Sequence, residues 1–565
     1  MKPTVIPIVP APASRERKRQ RPKGRRVEPG ALDDVRALLG DAARRRDLLI
    51  EHLHRIQDHY GCLSAPHLAA LAQEMRLAQA EVYEVASFYH HFDIVKEGET
   101  APPALTVRVC SGLSCELAGA ADLLDRLPAL LGREVRVLAA PCVGRCEQAP
   151  VAVVGQHALA HADTALVVEA VRVGAVAAEP APYTGYDAYR ADGGYRLLRD
   201  CHGGRLPREQ LLATMEDSGL RGLGGAGFPA GRKWRIVGAE PGPRLMAVNI
   251  DEGEPGTFKD RHYLERDPHR FLEGMLVAAW AVGIAEIYIY LRDEYHACRA
   301  LLQAELARLA AAPPVPDLPP IHLRRGAGAY ICGEESAMIE SIEGKRGMPR
   351  LRPPYVAQVG LFGRPTLEHN FETLYRVREI VEQGAGWFAG HGRHGRKGLR
   401  SFSVSGRVRQ PGVKLAPAGI TARELIDEYC GGMQEGHALY GYLPGGASGG
   451  ILPASLADIP LDFDTLQPYG CFIGSAAVIV LSDRDSAVVA ARNMMAFFRH
   501  ESCGQCTPCR SGTARVLELI GQPRWDTGLL AELSAVMRDA SICGLGQAAP
   551  NPVDCVIRYF PQELA

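Results

Sequence analysis

Eight of the fifteen cysteines fall into two spaced groups, and these groups constrain the fold more than any other feature. The C-terminal group is Cys503-Gly-Gln-Cys506-Thr-Pro-Cys509 with a distant Cys543. A C-x2-C-x2-C loop directs three thiolates at three corners of a [4Fe–4S] cube, and a remote cysteine closes the fourth corner. The alternatives are buried free thiols or a four-cysteine zinc site, although zinc more often uses two separated C-x2-C pairs. The spacing therefore favours the cluster, on a loop before a helix predicted over 512–520.

The second group consists of Cys110-x4-Cys115 and Cys142-x3-Cys146. Cys110 ends a strand predicted over 105–110, and Cys142 follows a strand predicted over 134–138, with a predicted helix over 120–131 between them. Two adjacent loops with a cysteine pair each suit the two irons of a [2Fe–2S] cluster, but zinc accepts the same ligands. The other cysteines lack matching partners and are predicted to be packing residues: Cys62, Cys201, Cys298, Cys332, Cys430, Cys471 and Cys555.

The composition excludes several classes of protein. The cysteines are odd in number, clustered and without a recognisable signal peptide, which favours metal ligation in the cytoplasm over a disulfide framework. A formal net charge of −1 gives no reason to expect nucleic acid or an anionic membrane as a partner. The apolar stretch 271–291 contains Glu273 and Glu286, so we expect a buried helix followed by a strand rather than insertion into a membrane.

A chain of 565 residues is too long for one hydrophobic core, and we expect an α/β multidomain fold. An N-terminal stretch rich in arginine and proline cannot bury apolar surface and is predicted to be disordered. The predicted division is a basic tail at 1–30, helices followed by a strand–helix–strand passage at 31–173, a linker at 174–199, an α/β domain at 200–398, a small β-rich domain at 399–485 and a helical region at 486–565.

Glycine-rich and acid-rich loops mark the predicted α/β domain. Gly222-Leu-Gly224-Gly225-Ala-Gly227 fits G-x-G-x-x-G, but a predicted helix over 208–217 precedes it instead of a strand. The run is either a flexible turn or a stretch of backbone amides free to approach a phosphate or a flat ring. Two further loops follow predicted strands over 245–249 and 321–323, and each is either solvated or a set of acceptors for a bound nucleotide.

These three loops, with the C-terminal cysteines, resemble the flavin subunit of the NADH-oxidising arm of respiratory complex I. The N-terminal cysteines, with Tyr60-Gly-Cys-Leu and Glu84-Val-Ala-Ser-Phe-Tyr89, resemble that arm's thioredoxin-like [2Fe–2S] subunit. The chain looks like a fusion of the two over about residues 45–560. The resemblance implies a thioredoxin-like [2Fe–2S] domain within 31–173, an FMN- and NADH-binding domain at 200–398, a ubiquitin-like domain of the SLBB type at 399–485 and a helical [4Fe–4S] domain at 486–565.

The resemblance also implies the site residues. NADH would stack on FMN beside Phe228 and Tyr355, and Glu254 and Glu335 would orient its ribose and nicotinamide as the catalytic residues. An acid near the ribose 2′-hydroxyl would repel the extra phosphate of NADPH, so NAD is the expected nucleotide. The expected cofactor-binding residues are completed by Gly222, Gly224, Gly225, Gly227, Lys233, Asn249, Asp251, Glu252, Tyr330, Gly333, Glu334, Asn370 and Thr373. Leu223 and His369 depart from the arginine and asparagine expected at their positions.

Flavin exchanges electrons in pairs with nicotinamide and singly with iron–sulfur clusters, so the resemblance implies electron transfer among them. No site for a pterin, a nickel centre or a quinone is recognisable, and the terminal donor or acceptor is expected on a partner subunit. The stretches 369–374, 440–450 and 541–552 look most like the β subunit of soluble NAD-dependent formate dehydrogenases. This resemblance implies a large partner with a molybdenum or tungsten pterin and further clusters. The alternatives are the diaphorase subunit of an NAD-reducing hydrogenase or of complex I, and a zinc-stabilised scaffold without activity.

Overall fold

The structure is a computed structural model that describes residues 24–564. Most of the predicted basic tail therefore lies outside the described residues. Its last part was predicted wrongly as a tail, because Arg25 is bound: its backbone N–H donates to the Gln79 side chain (2.8 Å), and its guanidinium pairs with Glu28 and Glu97. The first helix then begins at Pro29, since proline is readily accommodated in the first turn.

The first structural unit is a group of short helices. Leu49, Leu53 and Ile56 recur on one face of the second helix and are fully buried, and Gly61 ends that helix in the left-handed conformation. The Ser64 side chain caps the third helix by accepting the His67 N–H. The elements are α1 (Pro29–Leu39), α2 (Leu49–Tyr60), β1 (Leu63–Ser64), α3 (Ala65–Met75), α4 (Gln79–Ala86) and β2 (Ile94–Val95), with β1 parallel to β2.

A four-stranded sheet follows, in the order β4-β3-β5-β6. Its elements are β3 (Leu105–Cys110), α5 (Leu113–Leu117), α6 (Ala120–Leu131), β4 (Val135–Ala140), β5 (Ala152–Val154), β6 (His157–Leu159) and α7 (Thr164–Arg172). Strands β3 and β4 are parallel, with α6 as their crossover, so their carboxyl ends share one edge of the sheet. That edge carries Cys110 and, two residues after β4, Cys142. The strand–helix–strand passage predicted from the sequence is confirmed.

The next unit begins earlier than predicted, because the second half of the predicted linker 174–199 is helical. Tyr189 and Tyr195 are buried, and both bind the buried Glu273 carboxylate, through the Tyr189 hydroxyl (2.6 Å) and the Tyr195 N–H (2.9 Å). These contacts attach the segment to the domain that follows it. The elements up to the first strand are α8 (Tyr186–Ala191), α9 (Arg196–His202), α10 (Arg208–Asp217) and α11 (Ala230–Ala239).

A parallel sheet in the order β10-β7-β8-β9 forms the centre of this unit. The predicted buried helix and strand within 271–291 are α13 and β8. The elements are β7 (Arg244–Ile250), α12 (Lys259–Leu264), α13 (Pro268–Val282), β8 (Ile284–Leu291), α14 (His296–Ala311), β9 (Ile321–Arg325), α15 (Glu335–Ile342), β10 (Thr366–Asn370), α16 (Phe371–Tyr375), α17 (Val377–Gln383) and α18 (Ala385–Ala389). Because the strands are parallel, the loops after β7, β9 and β10 meet at one edge.

The β-rich unit is a mixed five-stranded sheet in the order β12-β11-β15-β13-β14. Strands β11 and β12 form an antiparallel hairpin, whereas β11 and β15 are parallel. The elements are β11 (Leu399–Gly406), β12 (Gly412–Pro417), α19 (Ala422–Glu424), β13 (Leu439–Leu443), β14 (Leu452–Pro453) and β15 (Ala477–Ser482).

The C-terminal unit is helical: α20 (Ala487–Glu501), α21 (Thr507–Ile520), α22 (Thr527–Ala540), α23 (Gly544–Ala548) and α24 (Asn551–Tyr559). Helix α21 begins at Thr507 instead of at the predicted residue 512. Pro508 explains the difference, because proline in the first turn is preorganised to start a helix. Cys509 therefore lies on the helix and not on the loop before it. None of the helices in 24–564 is long and apolar enough to cross a membrane.

Candidate flavin and iron–sulfur sites

A cavity of about 330 Å³ lies at the carboxyl edge of the parallel sheet. This is where parallel α/β sheets bind ligands, because several strand ends and their loops converge there. The β-rich unit and the C-terminal helices complete its walls, with Ser448 and Leu545 among the lining residues. Ten of the predicted cofactor residues line it: Gly224, Gly225, Asn249, Asp251, Glu252, Glu254, Tyr330, Gly333, Glu334 and Asn370.

The glycine loop runs close against the end of β10. A Cβ atom added at Gly224 would lie 2.9 Å from the Cβ of Asn370, so only glycine fits without displacement. Gly227 has a different reason to be glycine, since its φ is +67° and a Cβ there would lie 2.6 Å from the Phe463 ring. The loop thus presents backbone to the cavity, which suits the close approach of a phosphate or a ring.

The loop after β7 is tied to the loop after β9. The Asn249 amide donates to the Gly333 carbonyl (2.9 Å), and its oxygen accepts the Asp251 N–H (3.0 Å). The Asp251 Oδ2 atom is buried and has no hydrogen-bond partner among residues 24–564. Burial also raises the pKa of Asp251 well above its ordinary value. An unpartnered carboxyl oxygen on a residue of the cavity wall fits a ligand that brings polar groups able to hydrogen-bond with it, as FMN does.

Glu254 is already bound by protein donors. Its carboxylate accepts from the Ser448 N–H (2.8 Å) and hydroxyl (2.7 Å) and from the Tyr330 hydroxyl. Burial raises the pKa of Glu254. Glu254 therefore fixes the β-rich unit against the acid-rich loop after β7 (residues 251–258) at the cavity wall. Its assignment as a catalytic residue remains a prediction.

The remaining predicted residues do not line the cavity. The Lys233 ammonium donates to the Glu368 carbonyl (3.0 Å) and pairs with its carboxylate (3.2 Å), and Glu335 pairs with Arg352 (2.8 Å). Gly222 and Thr373 position the glycine loop, since the Gly222 N–H donates to the Phe228 carbonyl and the Thr373 hydroxyl accepts the Leu223 N–H.

Phe228 and Tyr355 are the two predicted nicotinamide-stacking residues. Their side chains are 39% and 56% exposed, respectively, which leaves them accessible to an incoming ring. The guanidinium of Arg232 lies 5.9 Å from the centre of the Phe228 ring. Their roles toward NADH stay predictions, because neither residue lines the cavity itself.

His369 occupies the position where an asparagine was expected. It is buried, and its Nε2 atom accepts the indole N–H of Trp234 (2.7 Å). Burial lowers the pKa of His369 well below its ordinary value, so the ring is neutral at pH 7. The substitution thus provides an acceptor for a buried tryptophan.

Lys259 and Asp260 line the cavity but were not among the predicted residues. The buried Lys259 ammonium pairs with Asp260 (2.7 Å) and Glu372 (3.1 Å). Burial alone would lower the pKa of Lys259, but the neighbouring acids outweigh it and raise that pKa. The signal in the sequence was a charged run that continues the acid-rich loop into a helix. The cavity wall from the β-rich unit, including Ser448, was also missed, and its signal was the glycine run at 445–450.

The four C-terminal cysteines surround a second cavity. Cys503, Cys506, Cys509 and Cys543 all line it. Cys506 is the N-terminal cap of α21 and Cys509 lies in its first turn, so the positive end of this helix dipole faces the thiols. A set of converging thiols beside a helix N-terminus fits a [4Fe–4S] cluster. Ile331 and Leu545 line both this cavity and the one at the sheet edge, so the two share a wall.

The four N-terminal cysteines also converge. Cys110, Cys115, Cys142 and Cys146 are buried and unbridged, and the Cys142 and Cys146 sulfurs lie 3.3 Å apart. They come from the two loops at the carboxyl edge of β3 and β4, as predicted. A buried set of four thiols without another partner in the described chain fits a [2Fe–2S] cluster.

Two of the cysteines that were predicted to be packing residues contact each other. The sulfurs of Cys471 and Cys555 lie 3.5 Å apart, and both residues are buried. The two residues are far apart in sequence and meet only because α24 packs against the β-rich unit. Two thiols do not complete a cluster, and this pair remains a packing contact.

Three family matches cover most of the chain. Residues 35–173 match the thioredoxin-like [2Fe–2S] ferredoxin family, residues 215–379 the Nuo51 FMN-binding domain, and residues 489–565 the NADH-ubiquinone oxidoreductase-F iron–sulfur binding region. The matches confirm the predicted fold class and the predicted FMN, [2Fe–2S] and [4Fe–4S] cofactors. The fold and the sites define a flavin- and iron–sulfur-containing oxidoreductase.

The chain belongs to the NADH dehydrogenase flavoprotein family, and NAD is the substrate of this family. A relative from Rhizobium meliloti, one of its NADH-quinone oxidoreductase subunits, is 42% identical over 393 residues, which are 66% of this chain and 92% of the relative. NADH dehydrogenase [ubiquinone] flavoprotein 1 of Dictyostelium discoideum is 40% identical over 63% of this chain and 78% of its own. A chain in the crystal structure of an H2-reduced NAD+-reducing [NiFe]-hydrogenase is 33% identical, with a TM-score of 0.80 over 92% of both chains.

Proposed function

We propose that this chain is a diaphorase subunit that passes electrons between NAD(H) and a partner subunit through FMN and its iron–sulfur clusters. The observation that carries the proposal is the shared wall between the sheet-edge cavity and the four-cysteine cavity, formed by Ile331 and Leu545. Electron transfer needs cofactors held close together and shielded from water. Bound FMN would supply the exchange of electron pairs with nicotinamide and of single electrons with a cluster.

The residues of the chain would bind, orient and shield. The backbone of the loop around Gly224 would approach the flavin phosphate or ring, and Asp251 would hydrogen-bond to polar groups of the cofactor. Phe228 and Tyr355 would stack on the nicotinamide, and Glu335 would orient the nucleotide. The buried ion pair of Lys259 and Asp260 supplies a fixed local field at the cavity wall.

The finer proposal concerns the electron donor. We infer that the partner is a large subunit with a molybdenum or tungsten pterin that oxidises formate, so that the cytoplasmic complex reduces NAD+ with electrons from formate. The support is the resemblance of 369–374, 440–450 and 541–552 to the β subunit of such formate dehydrogenases.

A second candidate is the diaphorase subunit of an NAD-reducing hydrogenase. The structural likeness to the hydrogenase chain favours it, because that likeness covers 92% of both chains and therefore includes both halves of the fusion. The formate and hydrogen proposals share the chemistry of this chain and differ only in the partner.

The decisive experiment is purification of the native complex through a tag on this chain. NAD+ reduction is then measured with formate and with hydrogen as donors, alongside analysis for molybdenum, tungsten and nickel. Formate-dependent activity with molybdenum or tungsten supports the formate proposal, and hydrogen-dependent activity with nickel supports the second candidate. The isolated chain, loaded with FMN and iron, is expected to reduce ferricyanide with NADH, and a complete lack of this activity would refute the diaphorase proposal.

A further inference from the structure

A single buried arginine joins two loops. One is the loop that carries Cys142 and Cys146, and the other is the acid-rich loop after β7, residues 251–258, at the flavin site. Arg292 follows β8 directly and is 4% exposed. One end of its guanidinium donates to the Cys142 carbonyl (2.7 Å), and the other donates to the Glu252 carbonyl (2.5 Å). Because the guanidinium is planar and rigid, these two bonds fix the distance between the two loops.

The charge of Arg292 is only partly compensated. Its ion-pair partner is Glu294 (2.9 Å), whose side chain is 30% exposed and therefore partly screened by water. The guanidinium cannot lose its proton, so a positive charge is held in the interior beside Cys142. The charge is also placed against the face of the Tyr295 ring at 5.0 Å.

Arg261 is a second buried arginine beside the cysteine loop. It also contacts the cysteine loop, since its Nε donates to the Gly144 carbonyl (2.8 Å). It pairs with two carboxylates, Glu147 and Glu265, and Glu265 also pairs with Arg145 of the cysteine loop (2.9 Å). Arg145 and Arg261 thus pair with carboxylates that are only 14% and 18% exposed, whereas Arg292 pairs with the more exposed Glu294.

A [2Fe–2S] cluster gains one negative charge when it is reduced. A nearby positive charge stabilises the reduced form, and hydrogen bonding and local charge are recognised determinants of cluster potentials. With an effective dielectric constant of about 20, a unit charge at roughly 8–10 Å changes a one-electron equilibrium by a factor on the order of tenfold.

We propose that Arg292 is a positioning residue that holds the [2Fe–2S] loop against the flavin loop and raises the reduction potential of that cluster. The inference rests on the proposed function, because it requires the cluster at Cys110, Cys115, Cys142 and Cys146. It assigns to a residue of the flavin domain the control of a cluster bound by another domain.

The test is a redox titration of the full chain with its cofactors, followed by electron paramagnetic resonance of the [2Fe–2S] signal. Arg292→Met is expected to lower the ratio of reduced to oxidised cluster at a fixed potential by about tenfold, which is a midpoint shift of about 59 mV for a one-electron couple. Arg292→Lys retains the charge and is expected to shift the midpoint much less. Glu294→Gln removes the counter-charge and is expected to shift the midpoint in the opposite direction.

Arg324→Met is the matched control, since Arg324 is buried and ion-paired but its partners, Asp47 and Glu51, lie on the N-terminal helices. A merely structural role for Arg292 would not give shifts of opposite sign for Arg292→Met and Glu294→Gln. Unchanged midpoints in both variants, or equal shifts in the control, overturn the inference. If Arg292→Met does not retain the cluster, the inference is tested on Glu294→Gln and Arg292→Lys alone. A higher midpoint in Glu294→Gln supports the inference, and an unchanged midpoint in that variant overturns it. If the unsubstituted chain with iron restored shows no [2Fe–2S] signal, the proposed function fails and the inference fails with it.

Discussion

Replacing Gly224 by alanine tests whether FMN binds against the glycine loop, residues 222–227. The added Cβ would lie 2.9 Å from the Cβ and 3.4 Å from the Cγ of Asn370. Carbon atoms in contact are optimally about 3.5–4.0 Å apart, so one of the two segments must move by about half an ångström or more. Asn370 Cβ sits at the end of β10 and is not the free end of a flexible side chain, so the loop is expected to move.

The magnitude follows from the cost of overpacking, which is about 1–3 kcal/mol. Without cofactor the loop relaxes into the open cavity, whereas bound FMN would hold it in place. The cost then falls on binding, and the dissociation constant of FMN is expected to rise by about 5- to 150-fold. The fold itself should persist, because a cost of about 1–3 kcal/mol is smaller than the usual stability of a folded domain, about 5–15 kcal/mol.

The assay is FMN binding to the cofactor-depleted chain, followed by flavin fluorescence or calorimetry. Gly222→Ala is the matched control, because it lies in the same loop and the nearest atom to its added Cβ is the Phe228 carbonyl oxygen at 3.6 Å, an ordinary contact. Wild-type affinity in Gly224→Ala would refute the placement of FMN against this loop, and equal losses in the two variants would refute the clash with Asn370 as the cause.

Three further predictions concern the cysteines and the N-terminal helices. Cys543→Ser should abolish the [4Fe–4S] signal in electron paramagnetic resonance while FMN and the [2Fe–2S] signal remain; a retained [4Fe–4S] signal would exclude Cys543 as a ligand. Cys471→Ala should leave the iron and FMN content unchanged and destabilise the protein by about 1 kcal/mol in urea unfolding, and a loss of iron would contradict its packing role. Burial alone would raise the pKa of Asp293, but His91 and Arg325 outweigh it and hold that pKa well below its ordinary value. A depressed pKa gives stability that is present above the unfolded value of about 3.9 and lost as the pH falls below it. Asp293→Asn should therefore lower the free energy of unfolding at pH 7 by about 2–3 kcal/mol and reduce its loss as the pH falls below about 4. Hydrogen exchange at 87–95 should rise in parallel, and an unchanged pH dependence would contradict the assignment.

Much of the site followed from local patterns. The cysteine spacings, the glycine run and the acids at strand ends each reflect a chemical requirement within a few residues, and ten of the predicted cofactor residues line one cavity. The start of α21 was misplaced by five residues, although Pro508 gave the signal. The linker was misjudged because its composition is that of a loop, whereas Tyr189 and Tyr195 are ordered by the distant Glu273.

The sequence by itself determined the ligand chemistry: which thiols group together, which loops lack Cβ atoms and where acids follow strands. These features depend on spacing along the chain, which is visible without coordinates. Only the tertiary structure decided what is juxtaposed across the chain: the wall of Ile331 and Leu545 between two cavities, the meeting of Cys471 with Cys555, and the bridge by Arg292 between two loops. Such contacts join segments that are distant in the sequence, and they arise because the packing of whole domains, not local propensity, sets their distances.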